Sequence, residues 1–198
     1  GHIFDRLRAV NGLKKLILAT TSDKQNDILE EYALKENIIV YRHEDENDIV
    51  GRLYESFKLV KSDAILKINA DCPLIDPFYL QEGLNIFCNS DRNFDLVTNK
   101  ISKMFPDGYS FEIVSYKVIE WCHHNIKDSY NRELVMSWIM KNNKEFPNIY
   151  SIKNNKNYGN YNLCVDTLAD FKKISFLFKR LYKNNKYFGL KDVMSFLK

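Results

Sequence analysis

Apolar residues along this chain fall into short blocks that alternate with stretches of helical spacing. Leu16-Ile17-Leu18-Ala19, Ile38-Ile39-Val40-Tyr41 and Ala64-Ile65-Leu66 with Ile68 are runs of strand length. Between and after them, Ile28/Leu29/Tyr32/Ala33, Ile49/Leu53/Phe57/Val60 and Phe78/Leu84/Phe87 recur at the spacing of one helix face. A strand–helix order repeated in this way predicts a parallel sheet joined by right-handed crossovers. The chain opens inside a helix (Ile3, Phe4, Leu7, Val10) that Asn11-Gly12 ends, and Ser22 with Gln25 forms a capping box for the next helix.

Beyond Phe94–Val97, a further expected strand, the pattern changes. Pro106-Asp107-Gly108 is a turn, and Tyr109, Phe111 and Ile113 alternate as a strand would. Helices are expected over Tyr116–Ile126 and Tyr130–Lys141, and strands over Ile149–Ile152 and Tyr161–Val165. Thr167, with Asp170 in the first turn, caps a long helix whose inner face carries Phe171, Ile174, Phe178 and Leu181; a short helix spans Leu190–Leu197.

The stretch AILKINADCPLIDP (Ala64–Pro77) organises the rest. Its apolar run stops at Asp71, because Pro73 cannot continue a strand, and Asp76-Pro77 reads as an N-cap followed by proline at the first helical position. Asp166 likewise ends an apolar run before a helix. Two strand-end carboxylates on one edge of a parallel sheet suit a hard divalent cation, although aspartates in such places also serve as helix caps. Asp107 with Glu112 could set acids around a tight turn, and Arg132-Glu133 could meet an anion; from the residues alone, a plain turn and a surface pair are the favoured readings. His123 and His124 are adjacent, so on a helix they face apart, and no zinc spacing or Gly-x-Gly-x-x-Gly is present.

Composition narrows the classes. The 198 residues, 45% hydrophobic, suit one α/β domain, and a net charge of +3 with loosely scattered lysines does not make a nucleic-acid stripe. No apolar run reaches the roughly 18 residues of a membrane span. Cys72, Cys88, Cys122 and Cys164 have no paired spacing and read as reduced, mostly buried thiols of a cytoplasmic protein.

Six segments in order, LKKLILATTSDKQND, VYRHEDENDIVGR, LKINADCPLIDP, FPDGYSFEIVS, NRELV and LCVDTLADF, resemble the cytidylyltransferases typified by the spore-coat polysaccharide protein SpsF, relatives of the CMP-sialate and CMP-Kdo synthetases. The resemblance implies a three-layer α/β/α nucleotide-binding fold with a mostly parallel sheet, in one domain over residues 1–198. It implies transfer of CMP from CTP to an acidic sugar or other small acceptor, with release of pyrophosphate. Asp71 and Asp166 match the aspartates that hold Mg²⁺ (or Mn²⁺) and carry catalysis. Thr20, Thr21 and Asp23 match the loop over the nucleotide, Asp48 and Arg52 the base-contacting loop, and Asp107, Glu112, Arg132 and Glu133 the acceptor side. A homodimer through the region after the Pro-Asp-Gly turn is also implied, with no nucleic-acid or membrane partner. The family pattern begins with a strand and a glycine- and arginine-bearing loop that this stretch does not contain, so the chain by itself is expected to show neither useful CTP affinity nor turnover. A catalytically incompetent nucleotide- or partner-binding relative is the alternative. Leu134 stands where the family usually has histidine and Ser110 where aspartate is common, which implies an unusual acceptor.

Overall fold

The computed structural model describes residues 1–89 and 93–197. Its first half runs α1 (His2–Arg8), β1 (Ile17–Thr21), a 3₁₀ turn (Lys24–Asn26), α2 (Asp27–Lys35), β2 (Ile39–His43), α3 (Ile49–Val60), β3 (Ala64–Lys67) and α4 (Pro77–Asn89). Then come β4 (Leu96–Thr98), β5 (Glu112–Ser115), α5 (Tyr116–Asn125), α6 (Ser129–Glu133), α7 (Val135–Lys141), β6 (Ile149–Ser151), α8 (Leu168–Leu181) and α9 (Leu190–Phe196).

The strands form two sheets. β1 and β2 pair in parallel, Ile17 opposite Ile39 through Thr21 opposite His43. The larger sheet has the order β3-β5-β4-β6, with β5 antiparallel to both neighbours and β4 parallel to β6. β3, β4 and β6 therefore point one way and only β5 runs against them. Side-chain alternation builds the layers. Leu66, Val97 and Ile113 join Leu80, Phe111, Ile174 and Leu177 on one face, under α4, α8 and α9. Ile65, Leu96 and Val114 turn the other way, onto Val50, Phe57, Ile119 and Ile139 of α3, α5 and α7. This is the three-layer α/β/α arrangement. Each of Leu96, Ile113 and Val114 is fully buried, worth about 1.5–3 kcal/mol apiece. The aromatics of the second half divide between core and surface: Tyr109, Phe111 and Phe146 are buried, whereas Tyr130, Tyr150 and Phe171 are exposed. Trp121 stacks on Trp138 with centroids 5.7 Å apart, and Phe146 stands edge-on to both.

A buried polar joint ties the two ends of this architecture together. Arg6 is 1% exposed and donates from Nη1 to the carbonyls of Ile75 (3.1 Å) and Phe188 (2.9 Å). Its guanidinium carbon lies 4.5 Å from the centre of the Phe188 ring. One residue on from Ile75, Asp76 accepts from the Phe78 amide at 2.9 Å and from the Leu190 amide at 2.7 Å, so a single carboxylate caps both α4 and α9. Gly189 is required beside it, since a Cβ there would lie 2.5 Å from Asp76 Oδ2.

Several expectations need correction. The turn before α2 is capped by Asp23, which accepts from the Gln25 amide, and Ser22 plays no part. Of the expected α2 face only Ala33 is buried; Ile28, Leu29 and Tyr32 are exposed because α2 rests on β2 through that one small residue. Phe78 and Phe171 are exposed too, and Tyr79, Leu80 and Leu177 take the inward positions of α4 and α8. Tyr130–Lys141 divides into two helices at Leu134, where ψ is 30°. Tyr109 and Phe111 are buried, yet only residues from Glu112 onward pair as a strand. Tyr161–Val165 is not a strand; its regular pairing is confined to a bridge between Asp107 and Asn162. Cys72 and Cys122 are buried, whereas Cys164 is half-buried and Cys88 exposed.

Candidate nucleotide and metal site

Asp71 sits four residues beyond the end of β3, after the chain has turned through Cys72 N→Asn69 O (3.2 Å). The segment leading to Asp166 is threaded alongside it. The Asp107 amide donates to Tyr161 O at 3.0 Å and the Leu163 amide to Asp107 O at 2.9 Å; two residues later the Val165 amide donates to Asp71 O at 2.9 Å. Gly108 makes the approach feasible: its φ is +94°, and a Cβ would lie 2.5 Å from Leu163 O. The expected residues Asp71, Asp107 and Asp166 thus gather on three touching segments.

Neither Asp71 nor Asp166 is occupied as a helix cap. α4 takes its cap from Asp76, while α8 takes its from Thr167, whose hydroxyl accepts from the Asp170 amide as Asp170 accepts back from the Thr167 amide. Beside Asp71 and Asp166, burial first, then the charges of these two aspartates and finally of Asp107, push the Cys164 thiol up to about 11. Burial, then the hydrogen bond to Asp71, raises the Cys72 thiol as well.

Asp48 caps α3, accepting from the Gly51 amide at 2.8 Å, and receives the Arg132 guanidinium through Nε and Nη2, both at 2.9 Å. His43 Nε2 stands 3.4 Å away. Burial works to raise the Asp48 pKa, but the Arg132 and Gly51 bonds and the nearby charges outweigh it and hold the carboxyl below its ordinary value. Arg132 Nη1 also donates to the carbonyls of Ile126 (2.8 Å) and His123 (3.2 Å), so this arginine closes the α5–α6 corner onto α3. Arg52 donates to Glu46 O and leaves its buried Nε without a partner; burial lowers its pKa.

Thr20, Thr21 and Asp23 line the C-terminal end of β1. Arg42, which sequence reasoning passed over, holds this loop: it donates to the carbonyls of Thr21 (3.0 Å) and Asp23 (2.7 Å) and pairs with Asp27 and Glu30. Glu112 is 4% exposed in the middle of the larger sheet, opposite Lys67 in register, with Lys67 Nζ 3.5 Å from its carboxylate. Lys67 also donates to Asn69 Oδ1 at 2.7 Å, linking Glu112 to the turn that carries Asp71. Glu133 is exposed, away from these contacts. Arg42, Lys67 and Cys164 are the site residues the sequence reading missed. Cys164 had a signal, since it is two residues from Asp166 and shares its side of an extended segment.

The layered sheet, with loops at the ends of β1, β2 and β3, is an α/β fold of the nucleotide-binding type. The family profile "Cytidylyltransferase" matches residues 1–188, and the chain belongs to that family. It is 28% identical over 176 residues to an uncharacterised protein of Methanocaldococcus jannaschii, covering 86% of this chain and 68% of that one. It is 21% identical to the spore coat polysaccharide biosynthesis protein SpsF of Bacillus subtilis, covering 83% and 67%. Among solved structures, a cytidylyltransferase from Leptospira borgpetersenii superimposes with a TM-score of 0.91 at 24% identity, over 99% of this chain and 81% of that one.

Proposed function

We propose that the protein moves the cytidylyl group of CTP onto a small acidic acceptor, an acidic sugar or a phosphorylated compound, with release of pyrophosphate for glycan synthesis. Family membership and the likeness to a spore-coat polysaccharide protein support this reading. The observation that carries it is the Val165–Asp71 backbone bond, which sets Asp71 beside the segment of Asp166 with both carboxylates free of capping duty.

The donor set fits a hard divalent cation: carboxylate oxygens on two loops joined by the Val165–Asp71 backbone bond. Asp71 and Asp166 would hold Mg²⁺, which when bound neutralises phosphate charge. The chain's own residues do the positioning. Thr20, Thr21 and Asp23, kept in place by Arg42, lie over the nucleotide, and Asp48 and Arg52 frame the base side. Asp107, Glu112 and Arg132 lie toward the acceptor, with Glu112 and Arg132 acting through Lys67 and Asp48; the exposed Glu133 has no contact among the described residues that would hold it there. An acceptor oxygen forms its bond to the α-phosphorus as the bond to pyrophosphate breaks in line, so no covalent intermediate with the protein is needed.

The test is pyrophosphate release from CTP by the full-length gene product with Mg²⁺ across a panel of acidic sugars and phosphorylated small molecules. Acceptor-dependent release that drops about 100-fold or more in both Asp71→Asn and Asp166→Asn is the expected result. Release that survives both substitutions would overturn the assignment of these aspartates. An absence of CTP·Mg²⁺ binding to the full-length protein would favour a binding relative without chemistry.

A further inference from the structure

We propose that Asp71, Cys72 and Cys164 form a binding site for a thiophilic divalent cation, with Zn²⁺ the ion its chemistry suits best. One carboxylate oxygen of Asp71 and the two sulfurs lie within 4.8 Å of one another. A tetrahedral zinc ion bound to two thiolates and a carboxylate oxygen needs ligand atoms roughly 3.5–3.8 Å apart. Small side-chain rotations therefore close the cluster around an ion, and the Cys72 thiol already reaches Asp71 Oδ1 at 3.1 Å.

The backbone beneath these ligands is fixed from both sides. Asp71 and Val165 are joined by their 2.9 Å hydrogen bond, the Cys164 amide is held by Asn162 Oδ1 at 2.9 Å, and Asn162 bridges to Asp107. Cys72 lies in the core and Cys164 at its margin, so the cluster reaches solvent on the Cys164 side. Asp166, two residues beyond Cys164, adds negative charge there. Two sulfurs and one oxygen are a poor set for Mg²⁺ or Ca²⁺, which take oxygen ligands, and a good one for Zn²⁺.

Binding converts both thiols to thiolates, and their two protons pass to solvent for each ion taken up. The site goes beyond the proposed transferase activity but shares Asp71 with it. An ion held by the two cysteines withdraws that carboxylate from the nucleotide side, so the same loop can be switched off by a soft metal.

The test needs no nucleotide. The reduced chain is titrated with Zn²⁺ in competition with a chromophoric chelator, and separately with Co²⁺, whose thiolate charge-transfer absorption reports sulfur ligation. One Zn²⁺ per chain and a charge-transfer band are expected. Cys164→Ser and Cys72→Ser should each weaken Zn²⁺ at least about tenfold and diminish the band. Cys88→Ser, an exposed thiol outside the cluster, should change neither. Near-ultraviolet circular dichroism confirms that each variant is folded; Cys164 is half-buried, so its serine variant carries the result even where Cys72→Ser does not fold. Undiminished Zn²⁺ affinity in Cys164→Ser, or the lack of a charge-transfer band in the wild-type chain, would overturn the proposal. Either result would leave nucleotidyl transfer, read by pyrophosphate release, untouched.

Discussion

Replacing Arg132 by alanine removes two hydrogen bonds to the Asp48 carboxylate, two to the carbonyls of His123 and Ile126, and a 3.5 Å contact to His123 Nδ1. The paired side chains are only 15% and 18% exposed, so the carboxylate is left poorly solvated. Breaking a fully buried pair costs about 3–5 kcal/mol. The residual exposure, the retained Gly51 bond and the nearby His43 reduce that here to about 2–3 kcal/mol. Asp48→Asn keeps a good cap for α3 and loses only the charge, at about 1–2 kcal/mol. The double variant should therefore show a coupling of about 1 kcal/mol or more. Urea unfolding followed by the stacked Trp121–Trp138 pair, which flanks this corner, measures all three. Acid provides a second axis. Asp48 has a folded pKa below its unfolded value, so its contribution is complete above about pH 4 and is lost as pH falls through the folded pKa. Asp48→Asn should accordingly flatten the stability profile below about pH 4. If Arg132→Ala cost less than about 0.5 kcal/mol, with no coupling to Asp48, the clamp would be a surface pair of no structural consequence.

Three further outcomes follow from the same geometry. Gly108→Ala must either leave a positive φ or push back the Leu163 carbonyl; it should cost at least about 2 kcal/mol by urea unfolding and raise amide exchange at Leu163 and Val165. Thr167→Ala removes half of the α8 capping box and should lower stability by about 1 kcal/mol, with faster exchange confined to the first turn of α8. Arg42→Gln releases the Thr21 and Asp23 carbonyls, so exchange in residues 21–30 should rise with little change in the unfolding midpoint; protection equal to wild type would show that the loop is held by something else.

How much of this was legible depends on the range of each interaction. β3, the Asp76-Pro77 cap and the Thr167 box are local, and their residues announce them. The path of Tyr161–Val165 is not local: its partners, Asp107 and Asp71, lie more than fifty residues away, and a two-bond contact with a turn leaves no periodic trace. The face of α2 failed for a different reason. Spacing shows that Ile28, Leu29 and Tyr32 share a side, but not whether a neighbour reaches it. The break at Leu134 was hidden because apolar residues continue across it; Arg132 draws α6 onto Asp48 while α7 packs against α5, and no single straight helix does both. At the candidate site the acids were visible as residue types, whereas the basic residues that restrain them, Arg42 and Lys67, act through folds of the chain that their own neighbours do not encode.

The joint at Arg6, Asp76 and Gly189 has a consequence for how the molecule opens. α1, the start of α4 and α9 share one buried cation, one buried carboxylate and one position where only glycine fits, so none can detach without stranding a polar group in the core. These three pieces, remote in sequence, should behave as one cooperative opening unit, with a common free energy of exposure read by native-state exchange. The 3₁₀ turn and α2, which bury only Ala33 and are otherwise held by partly exposed contacts such as the Arg42 pairs, lie outside it and should fluctuate on their own. The loop after β1 that Arg42 secures would then ride on the softer part of the fold, while the Asp71 loop, one turn ahead of Asp76, is anchored to the stiffer one.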